Sequence, residues 1–120
     1  MPDEVFESFL TFVDYQKQAK ETSGGHKRLD EFESRLAIAG LGIAGEAGEV
    51  ADYIKKVVGH GHEMDRKKLT KEVGDVLWYA AEICSILGVS MGSVARQNIN
   101  KLNERYPGGF SSEKSINRVG

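Results

Sequence analysis

Apolar residues recur along most of the chain at intervals of three and four, the period of helices packed on one side. The first such stretch runs from Asp3 to about Glu21, with Val5, Phe6, Phe9, Leu10, Phe12, Val13 and Ala19 in phase. It breaks at Thr22-Ser-Gly-Gly25. Residues 26–33 read equally as a polar connection or a short helical turn. The second stretch runs from about Ser34 to Val58, with Leu36, Ala39, Ile43, Ala47, Val50, Ile54 and Val57 on one stripe. It also carries Gly40, Gly42, Gly45 and Gly48, each less favourable in a helix than Ala by roughly 1 kcal/mol. A helix with that load is expected to use it, for close packing or for backbone approach to a ligand. A third helix is predicted over about Arg66 to Leu87, after the polar loop Gly59-His-Gly-His-Glu-Met64. A fourth covers Met91 to Arg105, with Ser90 as its N-cap, and Tyr106-Pro-Gly-Gly-Phe110 ends it.

No strand period and no repeat interrupts this pattern, and Pro occurs only at positions 2 and 107. The fold class is therefore all-α, a four-helix-bundle-like single domain over residues 1–110, with a loose tail over 111–120. The third helix is apolar nearly all round, more than one small bundle can cover. Part of it is expected to pack in an oligomer.

Composition narrows the functional classes. The chain has 120 residues, 16 Lys+Arg against 18 Asp+Glu and a formal net charge of -2, with a pI near 5.9. That balance speaks against a surface for nucleic acid or for membrane. The length leaves no room for a second core. One cysteine, Cys84, excludes an internal disulfide and reads as a buried apolar residue, so a reducing cytoplasmic setting is expected. The acidic start and the lack of a long apolar run predict neither a leader nor a membrane span. His26, His60 and His62 fall in polar loops and read as surface residues, and Trp78 as packing.

The carboxylates are more informative. Glu46-Ala-Gly-Glu49 lies in the second helix and Glu72-Val-Gly-Asp75 in the third. Residues three apart share a helix face. At about 100° per residue, Glu46 borders the stripe of Ile43, Val50 and Ile54, and Glu72 falls inside the stripe of Leu69, Val76 and Ile83. A tight antiparallel hairpin sets Glu49 and Asp75 at similar heights. Either these pairs are solvated helix faces, the usual fate of such spacings, or they form an all-oxygen cluster of the kind that Mg²⁺ or Mn²⁺ selects. Lys56 projects to the side of Glu49, and Asn98, Lys101 and Arg105 form one stripe of the fourth helix. These supply cations for an anionic ligand.

Gly45-Glu-Ala-Gly-Glu-Val50, Lys71-Glu-Val-Gly-Asp-Val-Leu-Trp-Tyr79 and Asn98-Ile-Asn-Lys-Leu-Asn-Glu-Arg-Tyr-Pro-Gly-Gly-Phe110, with Tyr15-Gln16 before them, resemble the MazG-like all-α nucleoside triphosphate pyrophosphohydrolases. The likeness covers about residues 10–110. It implies Mg²⁺-dependent cleavage of a nucleoside triphosphate between the α and β phosphates, giving monophosphate and pyrophosphate. It also implies a homodimer or dimer of dimers, with the site built partly from a second subunit. Glu46, Glu49, Glu72 and Asp75 are then the metal ligands, with Glu46 and Glu49 closest to the catalytic chemistry. Lys56, Lys101 and Arg105 are expected on phosphate, beside Asn98, while Gln16 and Tyr79 are candidates for sugar or base. Many such proteins carry a doubled glutamate where Gly45-Glu46 stands here. The alternative reading is a non-catalytic helical oligomeric binding module with a structural divalent-ion site.

Overall fold

A computed structural model of the chain describes residues 9–23 and 31–117. These form five helices, α1 (Phe12–Glu21), α2 (Phe32–His60), α3 (Arg66–Leu87), α4 (Met91–Arg105) and the short α5 (Ser112–Ile116). No strand occurs among the described residues. The all-α expectation holds, and the predicted bounds of the third and fourth helices are met. The second helix is longer than expected by two residues at each end. Residues 26–30 and the predicted start of the first helix at Asp3 lie outside the described residues.

Capping chemistry sets most of the helix ends. α1 begins at Phe12 because Thr11 is extended and its hydroxyl accepts the Asp14 N–H at 3.0 Å, satisfying one of the orphan donors of the first turn. Phe9 and Leu10 are therefore outside the helix that their spacing predicts. α3 is capped by Asp65, whose Oδ1 accepts from the N–H groups of Lys67 and Lys68. Ser90 caps α4 as expected, accepting from Ser93 N–H at 3.3 Å. Ser111 caps α5 and so orders a turn in the segment expected to be a loose tail. Gly61 and Gly88 end α2 and α3 at φ 74° and 70°, the left-handed region that a side chain disfavours.

α2, about 44 Å long at 1.5 Å per residue, and α3 form the antiparallel hairpin on which the chain is built. Tyr53 of α2 closes its loop end by accepting the Asp65 N–H at 2.6 Å. Lys68 stands over the Tyr53 ring at 5.4 Å, a cation–π contact. Further along, the Tyr79 ring lies against Gly42 so closely that a Cβ there would sit 2.2 Å from Tyr79 Cε1. Of the five glycines in α2, only Gly42 is required by packing among the described residues. Gly40, Gly45 and Gly48 face open space.

α1 packs on α3, and α4 turns away from α3 by 104°. The core they share is small: Ala19, Ala81, Cys84 and Met91, with Tyr15, Leu77, Trp78 and Ala80 against it. The Trp78 indole is packed and also donates to Thr22 Oγ1 at 2.8 Å. Burial pushes the Cys84 thiol up, as its apolar surroundings require. No large side chain is fully buried among the described residues. On α3, Val73 and Leu87 are exposed, and on α2 Leu41 at 75% and Val58 at 80% are more so.

Gln16 locks α1 to the turn between α3 and α4. Its amide nitrogen donates to Val89 O at 2.9 Å and to Ser85 Oγ at 3.2 Å, and its oxygen accepts the Met91 N–H at 2.8 Å. Gln16→Ala removes three hydrogen bonds, each worth about 0.5–1.5 kcal/mol net, and strands the Met91 donor. Chemical denaturation should show a loss of about 1–3 kcal/mol. An unchanged midpoint would mean that the turn is held by other contacts.

Candidate metal centre

The antiparallel register of α2 and α3 decides which side chains meet. Gly42 faces Tyr79, Glu46 faces Asp75, Glu49 faces Glu72, and Tyr53 faces Lys68. Each step along α2 is matched by an equal step back along α3. Four carboxylates thereby gather between the helices, about midway along the hairpin. Oxygen atoms of Glu46, Glu72 and Asp75 all lie within 4.8 Å of one another. Glu49 stands beside them, close enough to act on both the Glu72 and the Glu46 carboxyls.

The electrostatics follow from this crowding. The Glu72 carboxyl is raised above its ordinary value first by the hydrogen bond with Glu49, then by burial and by the neighbouring charges of Glu49, Asp75 and Glu46. Glu46 is raised first by burial, then by the charges of Glu49 and Asp75. Raised carboxyls give a stability that is complete at low pH and lost as pH rises through their folded-state values. At neutral pH the metal-free cluster therefore works against the fold. Glu46 Oε2 and Glu72 Oε2 are shielded from solvent without any hydrogen-bond partner. Orphaned buried acceptors in an all-oxygen set suit a hard divalent cation, which satisfies the oxygens and cancels the repulsion. The residues present fit Mg²⁺ or Mn²⁺.

Beside the carboxylates a cavity of about 580 Å³ opens towards the loop between α2 and α3. Glu49 and Glu72 form its inner wall, Gly45 and Gly48 leave it open, and Lys56, Lys68 and His62 stand at its outer end. Lys56 is thus on the side of Glu49, as its spacing predicts. Its Nζ rests 3.0 Å from Asp52, while Lys55 holds the other oxygen of the same carboxylate at 3.1 Å. Hydrogen bonds from Lys56 and then Lys55 hold Asp52 below the ordinary carboxylate range. Asp52, Tyr53 and Lys68 were not singled out from the sequence. The signal was present, since each lies three or four residues from Glu49 or Glu72, but spacing alone does not distinguish a site wall from a solvated face.

The remaining sequence-predicted residues lie elsewhere. Tyr79 is one turn past Asp75, packed over Gly42, and lines a second, smaller recess. Gln16, expected among sugar or base contacts, is instead committed to the scaffold by its three hydrogen bonds. Asn98 and Lys101 are exposed on α4 and Arg105 is half-buried there. None of the three lines the cavity of its own chain, because the bend after Gly88 carries α4 away from α2. His60 ends α2 and His62 follows it, both exposed, as expected. His26 falls outside the described residues.

Comparison with known proteins identifies the family. Residues 37–110 match the family model of the MazG nucleotide pyrophosphohydrolase domain. The matched stretch contains all four carboxylates, Lys56, Tyr79 and the Asn98–Arg105 stripe. The chain is also 34% identical over 110 residues to the Gene 37 protein of Mycobacterium phage L5, covering 87% of this chain and 96% of the phage protein. No solved structure matches significantly. With the paired carboxylates of α2 and α3 inside the matched residues, the chain belongs to the MazG nucleotide pyrophosphohydrolase family.

Proposed function

We propose that this protein hydrolyses nucleoside triphosphates between the α and β phosphates, releasing monophosphate and pyrophosphate, and so clears unwanted nucleotides from a cytoplasmic pool. The observation that carries this reading is the pair of orphaned oxygens, Glu46 Oε2 and Glu72 Oε2, in a cluster of four carboxylates beside an open cavity with lysines at its far end. Mg²⁺, with Mn²⁺ as a substitute, would be held by Glu46, Glu49, Glu72 and Asp75. There it would neutralise phosphate charge and lower the pKa of a bound water. Lys56 and Lys68 face the outer end of the cavity, where they suit the leaving pyrophosphate. Gly45 offers no side chain, so we assign the water's proton to Glu46 or Glu49.

The exposed apolar surface of α2 and the small core support a homodimer or a dimer of dimers. In such an assembly the stripe of Asn98, Lys101 and Arg105 would be placed to face the phosphates in a neighbouring copy. A non-catalytic module with a divalent-ion staple is the other reading, and the metal cluster alone does not separate the two. Release of pyrophosphate from a nucleotide panel does.

Replacing Glu49, Glu72 or Asp75 by Ala should abolish both pyrophosphate release and divalent-ion binding. The helical circular dichroism should persist, because each change also relieves repulsion. Calorimetric titration with Mg²⁺ or Mn²⁺ is the check, and unchanged binding in all three variants would sink the assignment.

Lys101→Ala should lower kcat/KM for a triphosphate by about 10- to 100-fold, the size of a lost charge-assisted contact to phosphate. Thermal stability should stay near that of the parent protein. The opposite pattern, full activity with lower stability, would make Lys101 a scaffold residue.

Sedimentation at micromolar concentration should show a dimer or tetramer and little material at the 13.2 kDa of one chain. A fully active monomer would overturn the oligomeric part of the proposal.

A further inference from the structure

The turn between α2 and α3 carries two histidines that the carboxylate cluster does not use. α2 ends at His60, and Gly61 follows in the left-handed region at φ 74°. That reversal returns the His62 N–H to Lys56 O at 3.1 Å, so the chain folds back over its own last turn. The two imidazole rings come near each other as a result, with centroids 6.4 Å apart and planes tilted by 56°. A side chain at position 61 would strain this backbone, so the glycine is what lets residues two apart present their rings together. The far end of the loop is fixed as well, because Tyr53 Oη accepts the Asp65 N–H at 2.6 Å.

The ring separation decides whether one ion can reach both. A metal–nitrogen bond of about 2.0–2.1 Å puts the ion about 3.2 Å from the centroid of an imidazole. Two rings on one tetrahedral ion then have centroids about 5.2 Å apart, and about 6.4 Å when they oppose each other across it. The observed 6.4 Å is at the outer limit of a shared ion. Closure by about 1 Å gives the tetrahedral arrangement. Both rings are exposed, so rotation about their side-chain bonds supplies that closure. Gly59 and Gly61 have open space where a Cβ would stand, which keeps the approach clear. Glu63 lines the same end of the cavity as His62 and offers a carboxylate oxygen. Water completes four ligands.

We propose that His60, His62 and Glu63 form a second metal site, for a borderline divalent ion of the Zn²⁺, Ni²⁺ or Cu²⁺ class. Imidazole nitrogen selects these ions, whereas the all-oxygen set of Glu46, Glu49, Glu72 and Asp75 suits Mg²⁺ or Mn²⁺. The two centres differ in place as well as in chemistry. Glu49 precedes His60 by eleven residues, about 16 Å along α2. An ion on the histidines ties the end of α2 to the loop that follows it, at the mouth of the cavity. The site does not depend on the hydrolase reading.

Calorimetric titration of Zn²⁺ into Glu72→Ala, in which the oxygen cluster is disabled, isolates the histidine centre. Zn²⁺ should bind saturably at one ion per chain. His60→Asn and His62→Asn, each added to that variant, should weaken it by at least about 10-fold, and Glu63→Gln by about 3-fold. All three positions are exposed, so these changes spare the fold. At 100-fold excess over its Kd, Zn²⁺ should raise the melting temperature of Glu72→Ala by at least about 5 °C, and not once the histidines are replaced. In the otherwise native chain the histidine changes should leave Mg²⁺ binding as it is. If Glu72→Ala loses its helical circular dichroism, the native chain gives the same reading: the histidine changes should remove one Zn²⁺ from its total and no Mg²⁺. Zn²⁺ binding that persists with both histidines replaced overturns the proposal. So does one ion per two chains, the mark of an ion bridging separate molecules.

Discussion

The antiparallel register of α2 against α3 is the constraint on which the remaining structure depends. It is pinned at the loop end by Tyr53 accepting the Asp65 N–H and by Lys68 over the same ring. Further along it is pinned by Tyr79 against Gly42. Between these two points lie Glu46, Glu49, Glu72 and Asp75. A slip of one residue would turn a helix by about 100° and remove its carboxylates from the groove. The phenol–backbone bond and the close ring contact therefore do more than join two helices. They hold four acidic side chains together, where burial for Glu46, the Glu49 hydrogen bond for Glu72, and then neighbouring charge raise the Glu46 and Glu72 carboxyls.

Among the described residues the metal-free fold is thus strained at the carboxylates, while most helix ends and the α1 joint are satisfied. Helix ends are capped by Thr11, Asp65, Ser90 and Ser111. The third structural joint, α1 onto the α3–α4 turn, is satisfied on both sides of the Gln16 amide. Among the described residues, two carboxylate oxygens are left without partners in the middle of this scaffold. Buried polar groups that stay unpaired are rare, and a group of them on converging side chains is the usual mark of a place kept for a ligand. Gly45 and Gly48 have the same logic on the steric side. Neither is needed for packing, and each keeps the wall beside the carboxylates low enough for a large anion to approach.

The core adds a second unfinished feature. Its buried members are mostly small, and long aliphatic side chains on α2 and α4 remain in water. A chain of this length normally buries enough apolar surface to stand alone. Here much of that surface lies on the outer face of the same hairpin that holds the carboxylates. Under the proposed oligomer and hydrolase readings, assembly and catalysis are linked through one structural unit: whatever covers α2 would also stiffen the helix that carries Glu46 and Glu49.

Local pattern determined a large part of this protein. The periods of α2, α3 and α4, the Ser90 cap and the two carboxylate pairs were all legible, because helical spacing puts residues three and four apart on one face whatever the surroundings. The site itself was half legible. Glu46, Glu49, Glu72, Asp75 and Lys56 are brought to one groove, as their spacing predicts. Gln16 and the α4 stripe are not, because their positions depend on how α1 docks and how sharply the chain bends after Gly88. The start of α1 after Thr11, the role of Gly42 alone among the five glycines of α2, and the approach of Arg35 to Glu82 across 47 residues of sequence needed the tertiary structure. Each of these arises from a contact between segments that periodicity treats independently. Periodicity fixes which face of a helix is apolar, but only packing decides what that face meets.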